Sequence, residues 1–176
     1  MKQFYSELRA AIEANTVAAH VRLWNNQIQL WDKGEQIPFA CPAVFIDFPS
    51  ILWTQIGQGK QNAQLTTRIY CVYESFATNE NEEDLDIFDF FNSVYLAVQD
   101  FKPTQSGKLQ RISEQTDINH TNLYVWTSDY LSTYTDINAQ NPRGGVTSQI
   151  NTFNLDTDLI IDPNTVDGIR TAENFN

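Results

Sequence analysis

The residues of this chain whose types could do chemistry are few and scattered. Asp47, Glu74 and Asp129 fall in strand-like segments, and two carboxylates on adjacent strands would suit glycoside hydrolysis, one as acid and one as base or nucleophile. A sheet this acidic brings such pairs together by accident as well. Gly57-Gln58-Gly59-Lys60-Gln61 has the glycines and the lysine of a phosphate loop. It lacks the four-residue spacer and the Ser or Thr after Lys, and it opens no expected helix. His20 and His120 lie far apart with no HExxH or His-x-His around them, and Cys41 and Cys71 make neither CxxC nor zinc spacing. No serine or cysteine stands in a nucleophile-elbow context, and two histidines leave a triad little to draw on. The expectation is a protein without catalytic residues, metal or cofactor, and not an enzyme.

The chain that must position these groups has 176 residues, the length of one domain with an appended segment. Its 41% hydrophobic and 12% aromatic content supports a real core without disulfide staples. Eleven Lys and Arg stand against 22 Asp and Glu, a net charge of −11. That sign opposes the phosphate backbone, so sequence-specific nucleic-acid binding is disfavoured. No run approaches 18 apolar residues, and Met1 to Ala10 has the polar amphipathic character of a helix, without the regions of a secretory signal. A soluble product made in the cytoplasm is expected, with no membrane partner. In that compartment Cys41 and Cys71, both in strand-like contexts, read as reduced, buried thiols.

Apolar spacing outlines the elements. Phe4, Leu8, Ala11 and Ile12 predict an amphipathic helix over residues 2–15. Val21 to Trp24 and Gln27 to Trp31, around Asn25-Asn26, have the pattern of two short strands or an extended edge segment about a polar turn. Ala43 to Phe48, between Pro42 and Pro49, is an unbroken β-prone run that suits a central strand covered on both faces. The polar stretch Gln55 to Gln61 then reads as a mobile loop before a long alternating strand from Leu65 to Glu74. Seven acidic residues and no Lys or Arg lie between Glu74 and Asp89. They would complement the dipole of the next helix, residues 84–101, or else steer a partner. That helix carries Leu85, Phe88, Phe91, Tyr95 and Val98 on one stripe, with Ile87, Phe90, Val94 and Phe101 beside it. Leu109 to Glu114 begins a strand or bulged segment, and Asn122 to Tyr134 alternates as a second long strand. Its Trp126, Tyr130 and Tyr134 suit either cross-strand aromatic packing beneath a helix or a carbohydrate- or protein-binding face.

From Ile137 the character changes, with seven asparagines, Pro142, Pro163 and the Gly144-Gly145 pair around the isolated apolar residues Val146, Ile150, Phe153, Leu155 and Leu159-Ile160-Ile161. These apolar groups are too sparse for a core and too regular for a solvated tail. The organisation expected is therefore an α+β domain over residues 1–136, with a mostly antiparallel central sheet flanked by two helices, and an extended C-terminal arm over residues 137–176. The arm would pack on neighbouring subunits, or Leu155 to Ile161 would add a strand to its own sheet.

Three segments carry a family resemblance: Leu23-Trp24-Asn25-Asn26-Gln27, Pro42-Ala43-Val44-Phe45-Ile46-Asp47-Phe48, and Trp53-Thr54-Gln55-Ile56-Gly57-Gln58-Gly59-Lys60-Gln61. The order of hydrophobic strand, tryptophan, polar glycine loop ending in Gln, long strand and helix resembles the tail terminator or tail completion proteins of tailed bacteriophages, over roughly residues 1–135. The resemblance implies a structural protein of the virion neck or tail, assembled in the host bacterial cytoplasm. It implies a ring of six or twelve copies, contacts with other neck, portal-adaptor or tail proteins, and genomic DNA passing the lumen without sequence-specific binding. An acidic lumen wall would let DNA slide without sticking. Ring-interface candidates are Trp24, Trp31, Trp53, Gln58, Lys60, Gln61, Ile150, Phe153, Leu155 and Ile160. The alternatives are a monomeric carbohydrate- or protein-binding module and a small acidic hydrolase.

Overall fold

The computed structural model describes residues 1–34, 39–57, 59–74, 85–117 and 123–139. The compact unit that contains them runs from Met1 to Asn141. Its elements are α1 (Lys2–Asn15), β1 (His20–Leu23), α2 (Gln27–Asp32), β2 (Ala43–Gly57), β3 (Lys60–Glu74), α3 (Asp86–Val98), β4 (Gln110–Asp117) and β5 (Leu123–Asp136). The five strands form one sheet in the order β1-β2-β3-β5-β4. The β1–β2 pair is parallel, and the other three pairs are antiparallel. The class is α+β, as the sequence predicts. The expected arm, residues 140–176 of it, lies outside the described residues.

Strand alternation decides which residues face the helices. On β3, Ala63, Leu65, Thr67, Ile69 and Cys71 are buried. All but Thr67 belong to the main core, with Val44 and Ile46 of β2, Tyr130 and Tyr134 of β5, Phe4, Leu8 and Ile12 of α1, and five residues of α3. A smaller core on the opposite face joins Ile28 and Phe39 to Ala43, Phe45, Val72, Leu123 and Val125. The run Ala43 to Ile46 is thus covered on both faces, as its unbroken hydrophobicity predicts. The centre of the sheet, however, is β3, because β2 has a strand on its outer side only over those four residues.

Three further expectations change. Gln27 to Trp31 is a short helix, α2, in place of a strand. Asn26 precedes it with φ 58°, a left-handed turn that redirects the chain and drops Ile28 onto the second core. Gln55 to Gln61 is no loop: β2 runs on to Gly57 and β3 starts at Lys60, so the two strands form one hairpin with a two-residue turn. Backbone pairing is indifferent to the polar side chains here, and Gly57 and Gly59, at φ 101° and 74°, supply the turn conformations. In α3 the inward face is Ile87, Phe90, Phe91, Val94 and Val98, while Leu85 and Phe88 are exposed. Asp86 and Asp89 occupy its first turn, where they complement the helix dipole without a side-chain cap.

Local contacts lock the helix layer. The Thr104 amide and hydroxyl donate to the Glu7 carboxylate at 2.6 and 2.8 Å, holding that carboxyl below its usual pKa and tying α1 to the turn after α3. Gly107 lies against β5, donating its amide to the Thr133 carbonyl at 2.8 Å, and a Cβ there would sit 2.7 Å from Thr133 Oγ1. Among the described residues, Thr67 Oγ1 is a buried hydroxyl with no hydrogen-bond partner. Replacing it with an isosteric methyl removes that desolvation cost, so Thr67→Val is expected to raise unfolding free energy by about 1 kcal/mol in a urea titration.

Candidate functional site

The hairpin of β2 and β3 reaches beyond the part of the sheet that α2 covers. Beyond Ile46, β2 has no outer neighbour among the described residues, and its last pairing contact on that side is the Trp24 amide to the Ile46 carbonyl at 2.8 Å. The Phe48 amide is satisfied by the Asp47 carboxylate at 2.7 Å, and Pro49 has no amide, where a bulge shifts the register between Asp47 and Ser50. From Ser50 to Gly57 the strand is an open edge. Leu52, Trp53 and Ile56 on it are 62%, 41% and 52% exposed. Trp53 meets the edge of the Tyr134 ring at 6.1 Å between centroids. Lys60 and Gln61 sit half-buried at the start of β3, just past the turn.

The three tryptophan candidates therefore divide. Trp24 is half-buried, stacked on Tyr70 at 4.2 Å and against the Phe45 edge at 5.8 Å. Trp31 is half-buried and packs on Phe39 at 4.6 Å. Both belong to the layer around the smaller core, and only Trp53 stands on the open hairpin. Gln58, Ile150, Phe153, Leu155 and Ile160 lie outside the described residues. Leu52 and Ile56 were not among the candidates, because the polar residues around them read as loop and a loop has no edge to expose.

The carboxylates expected to form an acid pair are placed otherwise. Asp47, Arg68 and Asp129 are register partners across three strands, with Arg68 in the middle. Its guanidinium makes a two-pronged bond to Asp129, 2.7 Å from Nε and 2.9 Å from a terminal nitrogen, and the Ser113 hydroxyl adds a donor at 3.3 Å. These donors hold the Asp129 carboxyl below the ordinary range, and Asp129 raises the Arg68 pKa in turn. An ion-paired carboxylate is a poor proton donor at neutral pH, so the row serves to pin strand register. Glu74 is at the far end of β3, opposite Leu123.

The aromatic face of β5 is internal. Tyr130 and Tyr134 are 1% and 5% exposed, and Trp126 is wedged against Phe91 at 5.0 Å and Phe88 at 6.3 Å. The Met1 ammonium donates to the Tyr134 hydroxyl at 3.0 Å. Aromatic packing beneath α3 is the arrangement adopted, with Tyr130 and Tyr134 buried and Trp126 half-buried. Both cysteines are free, Cys71 buried within β3 and Cys41 half-buried just before β2. Burial pushes both thiols up, Cys41 to about 11, so neither is a ready nucleophile. His20 lies parallel to Phe39 with centroids 5.9 Å apart, and desolvation followed by the Arg22 and Arg9 charges lowers its pKa. A groove of about 580 Å³ between the end of α1 and the start of α3 is lined by Asn15, Thr16, Tyr73, Asp86, Asp89 and Ser93, without a nucleophile and base in contact. Among the described residues no group of three or more His, Cys, Asp or Glu is placed to hold a metal ion, and no helix is long and apolar enough to cross a membrane.

No family model matches this chain, and no curated protein matches it at a significant level.

Removal of the Asp129 charge tests the register row. Its depressed folded-state pKa means that the pair's stabilisation is present above the usual carboxylate range and is lost as pH falls through the folded value. Asp129→Asn is expected to cost about 1–2 kcal/mol at pH 7, the pair being only partly exposed, with the gap from wild type closing below about pH 4. Denaturant midpoints across pH 3 to 8 check this.

Proposed function

We propose that the chain is a structural subunit of a bacteriophage particle, assembling as a ring of six or twelve copies in the neck or tail, as a tail terminator or tail completion protein would. The observation that carries this reading is the open hairpin. An acidic domain whose described residues converge on no catalytic group leaves eight residues of strand edge unpaired, with Leu52, Trp53 and Ile56 exposed. A bare apolar strand edge is an adhesive feature that proteins normally hide. A closed ring needs two different complementary surfaces on each subunit, and this edge supplies one of them.

In this reading the subunit acts by geometry and carries no turnover. Its partners are further copies of itself and the neck, portal-adaptor or tail proteins above and below. The net charge of −11 suits a conduit wall that repels the phosphate chain, so DNA passes without being held. The sites of action are the virion neck or tail and, during assembly, the host cytoplasm. The rival binding module loses support because Tyr130 and Tyr134 of its aromatic face are buried, and the acidic hydrolase because Asp129 is held in an ion pair.

Native mass spectrometry of the purified protein at high concentration, alone and with neck partners, is expected to give a closed ring of six or twelve copies. Monomer under both conditions would refute the reading. Replacing Gln58, Lys60 and Gln61 together by alanine is expected to leave the melting temperature unchanged and to shift the ring toward smaller species.

A further inference from the structure

We propose that the outer edge of β2, Ser50 to Gly57, is the acceptor for a β-strand donated by residues 153–161 of a neighbouring copy of the chain. The proposal deepens the ring reading and rests on it. The two sides of the sheet, each made of two stretches, are treated differently. On one side β4 is an exposed edge strand, but it carries Arg111, Glu114 and Asp117 and is kinked by a bulge between Arg111 and Ser113. Charge and a bulge are the usual protections against edge-to-edge pairing. Past Leu131, where β4 ends its pairing, the Gln105 carbonyl and the Gly107 amide bond β5 at Thr135 and Thr133, both at 2.8 Å. On the other side β1 is four residues long, too short to template much. Among the described residues only the distal half of β2 is long, bare and uncharged, with no Asp, Glu, Lys or Arg in the sequence from Phe48 to Gly59.

Leu52, Trp53 and Ile56 are 41% to 62% exposed, an apolar strip along the edge that a further strand would cover. Every second residue of an antiparallel edge directs its N–H and C=O outward, which makes an extended segment the shape that fits. The sequence following the described residues contains one. From Phe153 to Ile161 the residues Phe153, Leu155, Thr157, Leu159 and Ile161 alternate with Asn154, Asp156, Asp158 and Ile160, the period-2 signature of a strand with an apolar face. Nine residues of strand are about 30 Å long, enough to cover the eight-residue acceptor.

The geometry of the exit also fits. β5 ends at Asp136, opposite Gln61, beside the turn of the same hairpin. Thirteen residues separate Ala139 from Phe153 and can span roughly 45 Å, more than the width of the sheet, so the donor reaches a neighbour. Asp156 and Asp158 on the polar face of the donor would meet no acidic side chain along the acceptor. Lys60, the only cation between Lys33 and Arg68, stands at its tip.

The test is a photo-cross-link in the full-length chain. p-Benzoylphenylalanine in place of Leu52 is mixed with 15N-labelled wild-type chain, irradiated and digested with trypsin. The expected product is a cross-link to the labelled peptide 144–170, lost when Phe153 and Leu155 of the labelled chain are both replaced by aspartate. A cross-link to the unlabelled 144–170 peptide alone means that the segment folds back onto its own sheet, and overturns the exchange. A cross-link to labelled β2 means edge-to-edge pairing of two copies, and overturns the choice of donor. No cross-link between copies while native mass spectrometry still records a ring refutes the strand donation and leaves the ring standing. Monomer alone by mass refutes both.

Discussion

Pairing of β3 along its length, with β2 on one side and β5 on the other, is the constraint on which the rest of the molecule depends. Because side chains alternate, this double pairing commits Leu65, Ile69 and Cys71 to the helix-covered core and Thr66, Arg68 and Tyr70 to the opposite face in one step. A slip of one residue on either side would turn every one of them over. The Arg68–Asp129 pair works against such a slip, since its two-pronged geometry is satisfied only when these two residues stand opposite each other. The polar row across the sheet is thus part of the fold's specification.

Cover over the sheet is uneven among the described residues. α1 and α3 bury one face nearly from end to end, while the short α2 with Phe39 covers only the end of the other face around Phe45 and Val125. The remaining face and the hairpin beyond it carry mostly Ser, Thr, Asn and Gln, with Leu52 and Ile56 exposed among them. Apolar burial is thus concentrated where the helices lie, and the hairpin beyond them keeps apolar side chains exposed. The groove between α1 and α3 gathers Tyr73, Asp86 and Asp89 on the helix side of the sheet, away from the open hairpin.

The treatment of the edges follows the same logic. A sheet that ends in water must discourage indiscriminate pairing, and β4 does so with charge and a bulge. The distal half of β2 lacks both through its middle and keeps bulges only at its two ends, between Asp47 and Ser50 and between Gln55 and Gly57. Those bulges delimit an uncharged stretch. A bare edge of defined length selects for a strand of matching length, which is how backbone pairing, itself blind to sequence, acquires specificity.

Much of the fold was legible in the residues alone. The spacing of Phe4, Leu8 and Ile12 specified α1 and its buried face, the unbroken run Ala43 to Ile46 specified a strand covered on both sides, and alternation specified β3 and β5, because in each case a local period reports which side meets water. Three things had no local signature. Gln27 to Trp31 became a helix because a left-handed Asn26 and a place for Ile28 on the second core outweighed weak local preference. Gln55 to Gly57 and Lys60 to Gln61 became strand because their ladder partners lie directly opposite, and backbone hydrogen bonding does not depend on side-chain polarity. The bare edge of β2 arose because β1 is only four residues long and stops at Leu23, so that which side chains end up exposed was settled by the length of a neighbour distant in sequence. Periodicity tells a residue which face it is on, whereas only the assembled sheet decides what, if anything, lies beside it.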